Sequence, residues 1–310
     1  MVSPEALLRL VGAFATMYLV ALGHSLFEKS GILNLAIDGV FFLATGVTTA
    51  LVVPLHYSLT GYGLSPVVSA ILAGLIAGLA TAVVGVFMAW SLTKFPISHG
   101  AVGLSLMFLG YGLGIIAGYE VRLRIGSIRP YAIPDSLEVY LAILVATVVV
   151  GFAVHYLLNN TVLGTSMRAC GENPHVALAL GADVAKIRVI AGLLGFYILG
   201  VGASFFVLIW QKYWDIKAYL LAYGWLAFTI ALSAGRHPLL LLPFAALFGG
   251  LVEFSITLQA MFGLQADLAK MIPFIAALAL MAIYGSTRLR RIFEPPTSLG
   301  RIFYKEEKTI

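Results

Sequence analysis

Three carboxylates, an amide and an imidazole stand in or beside runs that are otherwise apolar. Asn34 and Asp38 lie in Ser30-Gly31-Ile32-Leu33-Asn34-Leu35-Ala36-Ile37-Asp38-Gly39, between two strongly apolar runs, and Glu253 lies inside another. Glu28 precedes the stretch, and His99 opens a later apolar run. A carboxylate at the centre of a bilayer costs a few kcal/mol or more, so it is normally paired, hydrated or functional. Asn34 and Asp38 are therefore the first candidates to stand beside a substrate path, followed by Glu28, His99 and Glu253. The competing reading of Asp38 and Glu253 is a buried acid paired with a helix or loop donor. For the whole stretch it is a cytoplasmic turn between two spanning helices. A third use of Asp38 or Glu253 is as the proton- or cation-binding acid of an ion-coupled secondary transporter.

The elements that hold these residues are helices in a membrane. Of 310 residues, 61% are hydrophobic and 11% charged, with a mean hydropathy of +0.99; a soluble domain carries about 25% charged residues. At about 20 apolar residues per crossing, the composition predicts an all-α polytopic membrane protein with about nine (eight to ten) transmembrane helices. The expected spans are Ala6–Phe27, a short run Val40–Pro54, then Pro66–Leu92, His99–Gly118, Glu138–Leu158, Val189–Trp210, Ala218–Ala234, Leu239–Leu258 and Leu268–Tyr284. His56–Leu64 and Gly235–Pro238 read as connections. A short, Gly-interrupted apolar segment points to a discontinuous helix, here near residues 28–39. Gly74 and Gly78, and the series Gly110, Gly114 and Gly118, recur every four residues and predict close helix packing.

Residues 1–286 form the expected transmembrane domain, and 287–310 a basic cytoplasmic tail. Counting back from the tail places residues 159–188 in the cytoplasm, with Arg168, Lys186 and Arg188; the trio Arg122, Arg124 and Arg129 falls outside and runs against the rule. The net charge of +5 reads as orientation signal and contact with lipid headgroups, not nucleic-acid binding. The single cysteine, Cys170, allows no intrachain disulfide.

Residues 171–181 predict an isolated short helix. Asn173 suits the N-cap, Pro174 the first helical position and Gly181 the stop. Two turns are not stable alone, so the helix must dock, and Val176, Leu178 and Leu180 offer an apolar surface to a cytoplasmic partner or to the membrane interface.

Thr165-Ser166-Met167-Arg168-Ala169-Cys170-Gly171-Glu172-Asn173-Pro174, followed by Gly181-Ala182-Asp183-Val184 and Arg188, resembles the coupling-helix loop of ATP-binding-cassette importer permeases. The resemblance is to the branch serving nucleosides, simple sugars and branched-chain amino acids. Glu28, Ser30, Gly31, Asn34, Asp38 and Gly39 resemble the Glu-x-Ser-Gly-x-x-Asn-x-Gly-x-Glu-Gly motif of its nucleoside and simple-sugar members. The order of motifs agrees from about Tyr18 to Pro273. Departures are Ala36 for the motif glycine, Asp38 for its glutamate, Ala222–Ala227 for a Gly-Arg-Gly segment, and Gly110-Tyr111 where an Asn-Tyr pair is usual.

The resemblance implies a non-catalytic permease subunit of the cell membrane. Glu172, Asn173, Pro174, Val176, Leu178, Leu180 and Gly181 would engage a separate cytoplasmic ATPase. That ATPase would carry the ATP and Mg, leaving no cofactor in this chain. A second permease chain, related or identical, and an extracytoplasmic substrate-binding protein would complete the assembly. The substrate would be a nucleoside or a simple sugar. No P-loop, His-Glu-x-x-His or Gly-x-Ser-x-Gly motif occurs in the chain.

Overall fold

The computed structural model describes residues 4–62, 65–125, 133, 135–216, 222–263, 265–285 and 294–304. Among the described residues every regular element is helical. They are α1 (Pro4–Glu28), α2 (Ile37–Thr60), α3 (Pro66–Lys94), α4 (His99–Ile125), α5 (Leu137–Asn160), α6 (Val162–Glu172), α7 (Pro174–Ala179), α8 (Val184–Phe205), α9 (Tyr223–Ser233), α10 (Leu241–Glu253), α11 (Ser255–Phe262) and α12 (Ala266–Gly285). A π-helical turn, Phe206–Trp210, extends α8.

Helices α1 to α5, and α8 with its π turn, are long and apolar enough to cross a membrane. The remaining apolar helices are short: α9, α10 and the Met271–Ile283 part of α12. The seventh expected run becomes a half-length helix. Its first residues, 218–221, lie outside the described residues; Ala222 is left-handed (φ 54°), and the helix stops at Ser233 before Gly235 and Arg236, left-handed at φ 59° and 56°. The eighth run is split at Phe254.

Further boundaries differ from expectation, among them the end of α4, which runs past Gly118 to Ile125. The short run Val40–Pro54 is a full helix from Ile37 to Thr60, which passes through Pro54 and takes in most of the expected loop after it. A proline removes one ladder bond, a loss that packed membrane helices tolerate, and the next helix breaker is Gly61. The polar stretch 159–188 holds two helices, α6 and α7, instead of one. The sixth span begins five residues early because Asp183 caps it, accepting from Lys186 N at 3.0 Å. Arg122 and Arg124 fall in the last turns of α4, and the basic residues Arg129, Arg288, Arg290, Arg291, Lys305 and Lys308 lie outside the described residues.

Helix α8 is the spine. Gly192 meets Gly85 and Gly200 meets Gly78 and Thr81 on α3, while Gly195 meets Gly23 and Gly202 meets Leu19 on α1. Both neighbours run antiparallel to α8. Helices α2 and α4 run parallel, backbone against backbone, with Gly39 on Met107 and Gly110, and Gly46 on Gly114. The four-residue glycine series of α4 thus packs on α2, and its last member, Gly118, packs on Trp214.

Candidate functional site

The break between α1 and α2 organises the site. Helix α1 ends because Gly31 adopts φ 87°, a left-handed conformation that favours glycine. From there the chain runs extended along the start of α4. Leu33 N donates to His99 Nδ1 at 3.2 Å, Leu35 packs on Gly103, and Gly39 packs on Met107. Met107 stands about eight residues beyond His99, so the segment advances about 12 Å along α4 before α2 begins. That advance equals about two-fifths of the roughly 30 Å thickness of a hydrocarbon core. Residues 32–36 form an arm that turns back into the helix bundle, the re-entrant arm, and continues directly as α2, with Asp38 in the first turn of that helix.

Asp38 is buried and accepts three hydrogen bonds. Its Oδ1 takes the backbone N–H of Gly224 at 2.7 Å and of Trp225 at 3.3 Å, and its Oδ2 takes the Tyr111 hydroxyl. Gly224 and Trp225 are in the first turn of α9, where donors lack intrahelical partners. Ala222, at the N-cap position of α9, contributes no side-chain bond. Asp38 therefore caps α9 from 186 residues away and meets the positive end of its dipole. A Cβ on Gly224 would overlap the Asp38 backbone, so the approach requires glycine there. The two Gly-interrupted places noted in the sequence are in direct contact.

Glu28, at the other end of the break, is fully buried. Its Oε1 accepts from Asn34 N at 3.2 Å, its Oε2 pairs with Arg236, and His24 Nε2 lies 3.3 Å from the same oxygen. Arg236 sits in the turn after α9, and its N–H returns to Ala231 O at 2.9 Å. Helix α9, eleven residues or about 16 Å long, is therefore held at its start by Asp38 and just past its end by Glu28. The two acids that flank the re-entrant arm grip the two ends of one half-length helix. Asn34, fully buried between them, accepts from Ala36 N at 3.1 Å and so turns the chain into α2; its Nδ2 has no partner among the described residues.

Glu253 belongs to a different place. It accepts from Trp210 Nε1 at 2.9 Å and pairs with Arg9, tying α10 and the π turn to the start of α1. Arg9 and Glu28 are about 28 Å apart along α1. Of the five path candidates, the structure brings Glu28, Asn34, His99 and Asp38 onto the re-entrant arm and leaves Glu253 apart.

The arm's tip opens onto aromatic rings. Tyr111 is half-buried beside Phe42 (6.1 Å between centroids) and Phe108 (6.2 Å), and the half-buried Trp225 packs on Phe228 at 5.6 Å. Phe108 is exposed. Tyr111 and Trp225 were not among the sequence candidates. The Gly110-Tyr111 and Tyr223-Gly224-Trp225 departures from the motif pattern are the only signal that marks them.

At the opposite end, α6 and α7 make the cytoplasmic-type segment. Asn173 Oδ1 accepts from His175 N and Val176 N, each at 3.1 Å, Pro174 opens α7, and Gly181 (φ 90°) follows its end. Val176 (48% exposed) and Leu180 (82%) face outward. Leu178 instead turns inward and lines a cavity of about 480 Å³ with Trp90, Lys94, Asp183 and Phe303. The outward apolar face of this segment is therefore smaller than the sequence indicates. Glu172 is exposed and accepts from Thr297 Oγ1 at 2.6 Å. Burial, with Arg236 close by, holds the Lys29 ammonium below its ordinary range, and burial pushes the Cys170 thiol above its own.

Residues 6–285 match the family described as branched-chain amino acid transport system / permease component. A Haloferax volcanii protein named "Putative glucose ABC transporter permease protein TsgC13" is 26% identical over 271 residues, which cover 81% of this chain and 77% of that one. A Mycoplasma genitalium protein named "Uncharacterized protein MG121" is 25% identical over 300 residues, covering 93% of this chain and 94% of its own.

Proposed function

The chain belongs to the branched-chain amino acid transport system permease component family, and from that premise we propose that it lines the membrane path of an ATP-driven importer for a small, neutral, hydroxylated solute, a nucleoside or a simple sugar. It is a multi-pass protein of the plasma membrane. A separate cytoplasmic ATPase holds the ATP and Mg and docks on Val176, Leu180 and the exposed edge of Glu172. With that segment inside, α1 starts at the outer face and the re-entrant arm enters from the inner one. A second permease chain faces the exposed side of α4, and an external binding protein delivers the solute.

The observation that carries this reading is the grip of Glu28 and Asp38 on the two ends of α9. A push on the cytoplasmic segment reaches Glu28 first; through α9 it moves Trp225 against Tyr111 near mid-membrane, a rigid-body shift between packed states. Glu28 and Asp38 act here by positioning, and the half-buried rings of Tyr111 and Trp225 meet the solute. Planar rings with a polar edge suit ribose, hexose and nucleobase faces. The name of the Haloferax volcanii relative, which specifies glucose, supports the sugar alternative.

The test is uptake in proteoliposomes holding the permease, its ATPase and its binding protein, with radiolabelled adenosine, ribose and glucose offered separately. ATP-dependent accumulation of one of them is expected, insensitive to ionophores. Uptake that persists without ATP and collapses with the ion gradient would refute the proposal and favour the secondary transporter.

A further inference from the structure

The last described residues, 294–304, lie across the end of the molecule where the re-entrant arm begins. Ser298 N donates to Gly171 O at 2.9 Å, and Ser298 Oγ reaches Gly171 O at 2.6 Å and Cys170 O at 3.2 Å. Thr297 N (3.2 Å) and Oγ1 (2.6 Å) donate to Glu172. Two residues beyond Ser298, Gly300 N donates to Gly31 O at 3.2 Å. Phe303 is buried, its ring 5.1 Å from the His175 ring of α7 and 5.3 Å from the Arg188 guanidinium of α8. Arg188 in turn donates to Ser30 O at 3.2 Å. Neither Nη of this fully buried guanidinium has a partner among the described residues, so the Phe303 ring face and the Ser30 carbonyl are what meet its charge.

One short stretch thus holds the coupling segment on one side and the turn before the re-entrant arm on the other. These two also touch directly, since a Cβ on Gly171 would overlap the Lys29 carbonyl. Direct contact of that kind transmits a push and nothing else. When α6 and α7 move away from Lys29, only bonded connections follow. Ser298 and Gly300 are two residues apart and at full extension span about 7 Å, so this connection has little slack.

We infer that residues 296–303 are a strap that carries the withdrawal of the coupling segment to Gly31 and so to the re-entrant arm, with Ser298 and Phe303 as its positioning residues. The inference rests on the importer reading for the source of the movement. The push travels through Lys29 and Gly171, the pull through the strap.

Two measurements on the full-length chain test it. Cys170, the single cysteine, is buried beneath Ser298 and reports on the strap by its rate of labelling with N-ethylmaleimide in the purified permease. Ser298→Ala and Phe303→Ala are expected to raise that rate at least fivefold, and Ser298→Thr to leave it near the wild-type value. In proteoliposomes with ATPase and binding protein, uptake of radiolabelled adenosine or glucose per ATP hydrolysed should fall at least fivefold in the first two variants, while ATP hydrolysis stays within twofold. Ser298→Thr should restore the ratio. Labelling that rises less than twofold in both alanine variants overturns the strap, as does an unchanged uptake ratio once labelling has risen. Wild-type vesicles that accumulate neither solute would count against the substrate reading alone, because the labelling arm needs no substrate.

Discussion

Replacing Asp38 separates a positioning acid from one that binds a proton or cation. Asp38→Ala removes the acceptor for three donors at once: the N–H of Gly224 at 2.7 Å, the N–H of Trp225 at 3.3 Å and the Tyr111 hydroxyl. Hydrogen bonds to a charged acceptor contribute about 1.5–3 kcal/mol each, and the longer Trp225 bond roughly 1 kcal/mol. The gross loss is about 4–7 kcal/mol, part of which returns when the first turn of α9 frays and finds water, leaving about 3 kcal/mol. Asp38→Asn keeps one oxygen for both backbone donors, and its amide N–H can face the Tyr111 oxygen. It loses charge assistance alone, about 1 kcal/mol. The assay is thermal unfolding of the detergent-purified chain, followed by a thiol-reactive dye on the buried Cys170, together with uptake in proteoliposomes. The alanine variant should unfold several degrees below the wild type and lose uptake. The asparagine variant should unfold close to the wild type and keep most of its uptake. Equal loss of uptake in both variants, with wild-type unfolding temperatures, would refute the capping argument, because it would mean that the charge itself is used.

Three further outcomes follow from the same geometry. Gly224→Ala should reproduce Asp38→Ala, because its Cβ overlaps the Asp38 backbone; combined, the two should cost far less than their sum in the unfolding assay. Arg236→Gln leaves the Glu28 carboxylate buried without its cation and should destabilise by about 3–5 kcal/mol, whereas adding Glu28→Gln should recover much of that, read as the folded fraction in size-exclusion chromatography. Maleimide labelling of Cys170 requires the thiolate, and burial raises this thiol's pKa; its rate should therefore keep rising with pH above about 8.5, where an ordinary thiol is half-ionised.

Much of this architecture was legible in the residue pattern. Long apolar runs announced the first six spans, and the Asn173-Pro174 and Gly181 pair announced α7, because caps and breakers act locally. The polar break at Ser30–Gly39 was visible for the same reason. What it does was not, since the partners of Asp38 and Glu28 are 186 and 208 residues away and no local rule links them. Helix α2 ran past its expected end because packing outweighed the proline. Leu178 looked like part of an outward face by composition, yet the cavity under α7 draws it inward. The C-terminal residues read as an orientation signal because their serine, threonine and glycine show no pattern until Gly171 and Gly31 stand beside them.

The glycine contacts of α2 and α4 bear on which motions the molecule retains. Gly39 on Gly110 and Gly46 on Gly114 bring two main chains together with no side chain between them. Side chains elsewhere act as bearings that change rotamer as helices slide; at these glycines the main chains touch directly, and the Phe42 ring is wedged against Gly114 beside them. The pair is in effect welded and contributes one rigid body instead of two. Asp38 and Tyr111, one on each member, therefore keep their separation through any cycle. The freedom left to the site is the tilt of α9 against that fixed wall, so an opening between Tyr111 and Trp225 is set by a single angular coordinate.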